Sequence, residues 1–174
     1  MCGIFGQCCC SSAGIQTTQS TREKLDVLLE GLAALQYRGY DSCGIAWLEN
    51  GQLRRVRAVG AVEALESRLN AESDGESATS AQWCAIAHTR WATHGAVAER
   101  NTHPHTAGGY ALVHNGVVDN ADSLRRHLVD ECGAVLDSET DTELIVHLLA
   151  QQSCSEPLAQ RVANAMKHVR GANA

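Results

Sequence analysis

The chain has 174 residues, 44% hydrophobic and 20% charged, which supplies enough apolar material for a packed core and argues against disorder as the default state. Its formal net charge of -6 and pI near 5.7 leave no basic footprint for nucleic acid. No apolar run approaches the ~20 residues of a membrane helix and no signal-peptide pattern opens the chain, so a cytoplasmic protein with neither nucleic acid nor membrane as partner is expected.

Residues 2–10 read as a strand that starts almost at the chain end, followed by a polar loop to Thr18. Ser20 with Glu23 makes a capping box, and Leu25, Leu28, Leu29, Leu32 and Leu35 then mark one face of a helix that stops near Gly39. Residues 44–49 and 52–59 flank Asn50-Gly51, a strong hairpin signal. A short helix over 62–69 leads into an exposed Ser/Glu/Ala-rich loop at 71–81. Strands are expected at 83–89 and 110–114, joined by a Gly/Thr/His-rich connection.

The last third is helical: 121–131 capped by Asn120 and closed by Gly133, then 142–152, then 158–169 after Pro157. Strands first and helices later, with a hairpin, give an α+β class in which helices pack on antiparallel sheet. The eight cysteines, including the consecutive Cys8, Cys9 and Cys10, are expected as reduced thiols, most of them packed as small apolar groups.

A cysteine that becomes residue one on removal of Met1 carries a thiol and a free α-amine together. Terminal amines titrate near about 7.7–8.0, so this one can take a proton from the nucleophile. The bland alternative for Cys2 is a buried or unordered thiol. The run Tyr110 to Gly116 ends in Asn115-Gly116, which suits either a two-donor oxyanion hole or a plain type I′ turn. Arg90 offers a planar fork for a carboxylate and Trp91 a cover for a ligand, or they are a surface Arg and a half-buried Trp. Asp141 opens a helix as a dipole complement, or holds a substrate ammonium. His88, His94, His103, His105 and His114 lack the paired spacing of a zinc site, and His103-Pro104-His105 reads as loop-shaping.

Taken in order, Cys2-Gly3-Ile4-Phe5-Gly6, Tyr37-Arg38-Gly39-Tyr40-Asp41-Ser42, the run from His88 to Gly95, His103-Pro104-His105, His114-Asn115-Gly116 and the run from Ser138 to Glu143 resemble the glutaminase domains of glucosamine-6-phosphate synthases. These are class II glutamine amidotransferases with an N-terminal-nucleophile fold. The resemblance spans residues 2 to about 172. It implies an αββα sandwich of antiparallel sheets covered by helices. It also implies that Cys2 is the nucleophile with its own amine as base, and that Asn115 and Gly116 are the oxyanion donors. Arg90 then anchors the glutamine α-carboxylate and Asp141 its α-amino group, while Trp91, Thr93, His94 and Gly95 lie in a loop that closes over L-glutamine. Arg38 is supportive. No cofactor and no metal are implied, and full-length members are expected as homo-oligomers.

Three features depart from the family pattern: Cys8-Cys9-Cys10 in the first strand, Cys43 where a small residue such as Ala is usual, and the stop at Ala174. The chain is therefore expected as a partial glutaminase domain over 2–174, its C-terminal strands missing and the isomerase domains that handle fructose 6-phosphate absent. An inactive remnant with a protein-interaction or redox role is the competing expectation.

Overall fold

The computed structural model describes residues 2–10, 19–49, 51–72, 82–92 and 95–174. Asn50, Thr93 and His94 lie outside these, as do the loop predicted up to Thr18 and residues 73–81 of the second predicted loop. The chain forms two compact units, Met1–Pro104 and His105–Ala174.

In the first unit, strands β1 (Gly3–Cys10), β2 (Ser42–Glu49), β3 (Gln52–Val59) and β4 (Gln82–Arg90) form one antiparallel sheet in the order β1-β4-β2-β3. The predicted hairpin closes with Glu49 opposite Gln52, and Gly51 takes a φ of 77°, which a tight two-residue connection requires. The last strand to form in sequence, β4, inserts between β1 and β2. Residues near the chain start thereby come beside residues near 90, with Gly3 opposite Thr89.

Helix α1 (Thr21–Leu35) covers one face of this sheet. Its capping box is formed as predicted: Glu23 N–H donates to Ser20 Oγ at 3.2 Å, and Ser20 N–H donates back to Glu23 at 2.7 Å. The Ser20 N–H, with the Ser20 hydroxyl donating to the same oxygen at 3.0 Å, holds the Glu23 carboxyl below its ordinary value. Leu25, Leu28, Leu29 and Leu32 are buried against Cys43, Ile45, Trp47, Trp83, Ala85 and Ala87. Helix and strand meet closely. A Cβ at Gly31 would stand 2.7 Å from the Phe5 ring, and one at Gly3 would stand 2.7 Å from Leu35 Cβ. Helix α2 (Val62–Glu72) buries Val62, Leu65 and Leu69 in the same core and runs three residues beyond the expected end. Ala71 and Glu72 are thus helix rather than loop, because nothing in Asn-Ala-Glu breaks a helix.

The second unit opens on a hairpin of β5 (His105–Ala107) and β6 (Tyr110–Leu112); β6 lies within the strand expected at 110–114, whereas β5 falls in the stretch expected as a connection. Gly108 and Gly109, at φ 56° and 81°, supply the two positive angles of a I′ turn. β6 ends two residues before the expected His114. Helix α3 (Ala121–Arg126) continues into a π-helical turn, His127–Glu131, and Gly133 at φ 67° closes it as predicted. Asn120 precedes the helix, but its side chain does not cap it. Its amide instead accepts from Arg170 N–H at 2.9 Å and donates to His168 O at 2.8 Å, so a tertiary partner outcompetes the local one. Helices α4 (Thr142–Ala150) and α5 (Leu158–Met166) are slightly shorter than predicted. Val118, Leu124, Leu128, Leu144, Ile145, Leu148, Leu149 and Ala165 form this unit's core. The α+β class holds, and no helix among the described residues is long and apolar enough to cross a membrane.

Candidate active site

The first unit gathers Cys2, Arg90 and Trp91. β1 begins at Gly3, whose N–H donates to Thr89 Oγ1 at 3.1 Å, so the strand register leaves Cys2 facing the chain just beyond β4. Trp91 N–H donates to Cys2 Sγ at 3.2 Å, and the thiol lies 3.7 Å from Trp91 O. Two residues 89 apart in sequence are joined at the sulfur.

The turn that Trp91 occupies is braced from below. Asp41 Oδ2 accepts from Ala92 N–H at 2.8 Å, and Asp41 N–H donates to Arg90 O at 3.1 Å. Gly39, just past the 3-10 turn Gln36–Arg38, lies against the same turn: a Cβ there would come within 2.7–2.9 Å of Arg90 C, Arg90 O and Trp91 N. Arg38 is half-buried in that 3-10 turn. Tyr40 meets the Trp91 ring edge-on with centroids 5.6 Å apart, and both rings are exposed enough to meet a ligand. Arg90 is buried, with Nη1 donating to Ala96 O at 3.3 Å. Gly95, at φ 76°, turns the chain beside it; Asn101, fully buried, donates to the same Ala96 O at 3.1 Å. Thr93 and His94, predicted in this loop, lie outside the described residues.

The second unit gathers Asn115, Gly116 and Asp141. The Asn-Gly here is no hairpin turn. Asn115 and Ala174 exchange two backbone hydrogen bonds of 2.9 Å, Val117 N–H reaches Ala172 O, and Asp119 N–H reaches Arg170 O at 2.8 Å. Gly116 sits opposite Asn173 between these bonded pairs. In an antiparallel ladder such a residue directs its own N–H away from the partner strand, which is the orientation an oxyanion donor needs. A Cβ at Gly116 would collide with Ala172 O and come within 2.7 Å of His114 Nε2, so only glycine fits. His114 is fixed from both sides, at 3.1 Å from Thr142 Oγ1 and 2.9 Å from Asn173 Oδ1.

Asp141 precedes α4 and accepts from Val118 N–H at 2.8 Å, which ties it to the chain just after Gly116. The loop before it is held by Glu143, a buried carboxylate that accepts from Asp137 N–H, Ser138 N–H and Ser138 Oγ at 2.7–2.8 Å. Thr140 adds bonds to Ser138 and to His105 Nε2 at 3.0 Å. No sequence motif singles out Gly39, Asp41 or Glu143 for an individual role in the site. Glu143 had a local signal, a carboxylate facing the turn five residues before it; Asp41 and Gly39 had none, their partners being some fifty residues away.

Among the described residues no group of three or more His, Cys, Asp or Glu is placed to hold a metal ion. Cys43, buried on β2, has its thiol pushed up to about 12 by desolvation, with the Glu63 charge adding to the effect, and is therefore a packing residue.

Residues 42–160 match the family model for a glutamine amidotransferase domain. The chain is 46% identical over 149 residues to a glutamine–fructose-6-phosphate aminotransferase (isomerizing) of Xylella fastidiosa, covering 86% of this chain and 22% of that one. It is 46% identical over 167 residues to the like-named Rhizobium meliloti protein, with coverages of 95% and 26%. For the Shewanella oneidensis protein of that name the identity is 41% over 174 residues, with coverages of 99% and 26%. The chain thus spans about a quarter of the length of the curated relatives it matches.

Among solved structures, a Bacillus subtilis glutamine phosphoribosylpyrophosphate amidotransferase has a TM-score of 0.67 at 23% identity, over 98% of this chain and 33% of that one. An allosteric regulatory enzyme of purine biosynthesis has a TM-score of 0.68 at 27% identity, over 86% and 31%. These likenesses show the shared fold, the α+β class of the N-terminal-nucleophile amidotransferases. With the family model covering more than half of its residues, the chain belongs to the glutamine amidotransferase domain family.

Proposed function

We propose that residues 2–174 act as the glutaminase domain of a glutamine–fructose-6-phosphate aminotransferase, with Cys2, exposed by removal of Met1, as the nucleophile toward L-glutamine. The observation that carries this reading is the setting of Cys2: its sulfur is held by Trp91 N–H at 3.2 Å, next in sequence to the buried Arg90. The thiol proton passes to the residue's own α-amine, and sulfur attacks the side-chain amide carbon of glutamine. Asn115 and the Gly116 N–H stabilise the oxyanion so formed. The α-ammonium returns the proton to the departing nitrogen, and ammonia leaves. Water then cleaves the γ-glutamyl thioester to give glutamate and restore the thiol.

Arg90 binds the substrate α-carboxylate and Asp141 its α-amino group, opposite charges that together select an amino acid over a simple amide. Trp91, Thr93, His94 and Gly95 close over the bound glutamine, and Arg38 supports the turn. The ammonia serves amination of fructose 6-phosphate to glucosamine 6-phosphate in an isomerase domain outside these residues. A cytoplasmic setting and a homo-oligomeric full-length form belong to the same reading.

The test is glutamate release from glutamine by the purified chain and by Cys2→Ala. Turnover that vanishes in the variant supports the proposal. Equal background rates in both overturn it.

A further inference from the structure

An exposed thiol, Cys132, lies between Gly116 and Asp141 in sequence and is none of the residues assigned to glutamine. The π-helical turn after α3 is closed by Cys132 N–H donating to His127 O at 3.2 Å, an i to i+5 bond. In a regular α-helix residues five apart point about 140° from one another. The wider π winding brings them onto one side, so that His127 meets both Glu131 and Cys132. Glu131 Oε2 lies 2.8 Å from His127 Nδ1, and Cys132 Sγ lies 3.6 Å from His127 Nε2.

Thiol, imidazole and carboxylate are therefore in series. A carboxylate beside Nδ1 favours the tautomer that carries its proton there, and in that tautomer Nε2 is an acceptor facing the thiol, the division of labour of a base oriented by a third group. All three are reachable from solvent: Cys132 is exposed, and the His127 and Glu131 side chains keep 46% and 70% of their surface. Single-turn π segments are frequent at functional sites.

We propose that Cys132 is a modification site that takes up half of a low-molecular-weight disulfide of the glutathione type. Nε2 accepts the thiol proton and the thiolate attacks one sulfur of the disulfide. The old S–S bond breaks as the new one forms, and the departing thiolate takes the proton from the imidazolium. One thiol and one disulfide give one mixed disulfide and one thiol, so no further oxidant is needed. Cys132 is the attacking residue; His127 is its base, and Glu131 is a positioning residue.

The experiment incubates the purified chain with oxidised glutathione near neutral pH and follows each cysteine by peptide-resolved mass spectrometry. Cys154, exposed in the same unit, is the internal standard and reports in each variant whether general accessibility has changed. Cys132 is expected to react at least about ten times faster than Cys154. His127→Asn brings it down to the Cys154 rate. Glu131→Ala slows it, and Glu131→Gln, which still accepts from Nδ1, restores part of the rate. Equal rates at Cys132 and Cys154, or an unchanged Cys132 rate in His127→Asn, overturn the proposal.

Discussion

Replacing Gly39 by alanine isolates the contribution of one close approach to the Cys2 turn. The backbone at Gly39 is extended, with φ at -179°, so alanine adopts it without torsional strain. The added Cβ, however, would stand 2.7 Å from Arg90 C and 2.9 Å from Arg90 O and Trp91 N, all backbone atoms. Ordinary contact begins near 3.4 Å, so the Arg90–Trp91 turn has to retreat by about 0.7 Å. Such overpacking costs about 1–3 kcal/mol of stability. The retreat also draws Trp91 N–H from Cys2 Sγ and shifts Arg90, and misplacement on the order of 1 Å costs roughly 10²-fold in rate. Gly39→Ala is expected to lower kcat/KM for glutamine hydrolysis by about one to two orders of magnitude, measured by glutamate release, and to lower the urea midpoint followed by tryptophan fluorescence. Gly6→Ala, on the strand that follows Cys2, whose Cβ would meet only Ala85 O at 3.6 Å, is the control and should change neither quantity much. A Gly39→Ala protein as stable and as active as the parent would refute the reasoning.

Gly116→Ala should force residues 115–119 away from 170–174, and hydrogen exchange should show loss of protection at the Asn115, Asp119 and Ala174 amides together. Glu143→Ala leaves the Asp137 and Ser138 donors unmet in a buried turn and should destabilise the second unit by about 3 kcal/mol, read as faster exchange across α4. Cys43 makes stability depend on alkaline pH. Its thiol is raised from 9.0 to about 12 in the folded chain, so the folded state holds the proton that the unfolded state releases. The contribution is complete below about 9 and is lost as pH rises toward about 12, at about 1.4 kcal/mol per unit. Urea midpoints at two pH values in this window should fall less in Cys43→Ala than in the parent.

What was legible in the sequence was local. Ser20 and Glu23 cap their own helix, the leucines from 25 to 32 mark its inner face, and Asn50-Gly51 lies between two strands that need no other partner to find their register. The failures share a physical cause. Asn120 is a good cap by composition, yet Arg170 and His168 claim its amide. Asn115-Gly116 could not be separated from a I′ turn because the segment that holds it open, residues 170–174, comes only at the far end of the chain. β5 is three residues long, too short for alternation to register, although Gly108-Gly109 was the signal that marked it. The candidate site was named largely through the family resemblance. The bond between Trp91 and Cys2 depends on β4 pairing beside β1, which no local pattern encodes.

The central claim concerns one sulfur and the nitrogen of the same residue. Quenching the chain during glutamine turnover and mapping its peptides by mass spectrometry asks directly where the acyl group rests. The account predicts a γ-glutamyl thioester on the first peptide, which begins with Cys2 and carries an unblocked amine. A protein that turns over glutamine while its first peptide still starts with Met1 or bears an acetyl cap, or that carries the acyl group on another cysteine, would contradict it.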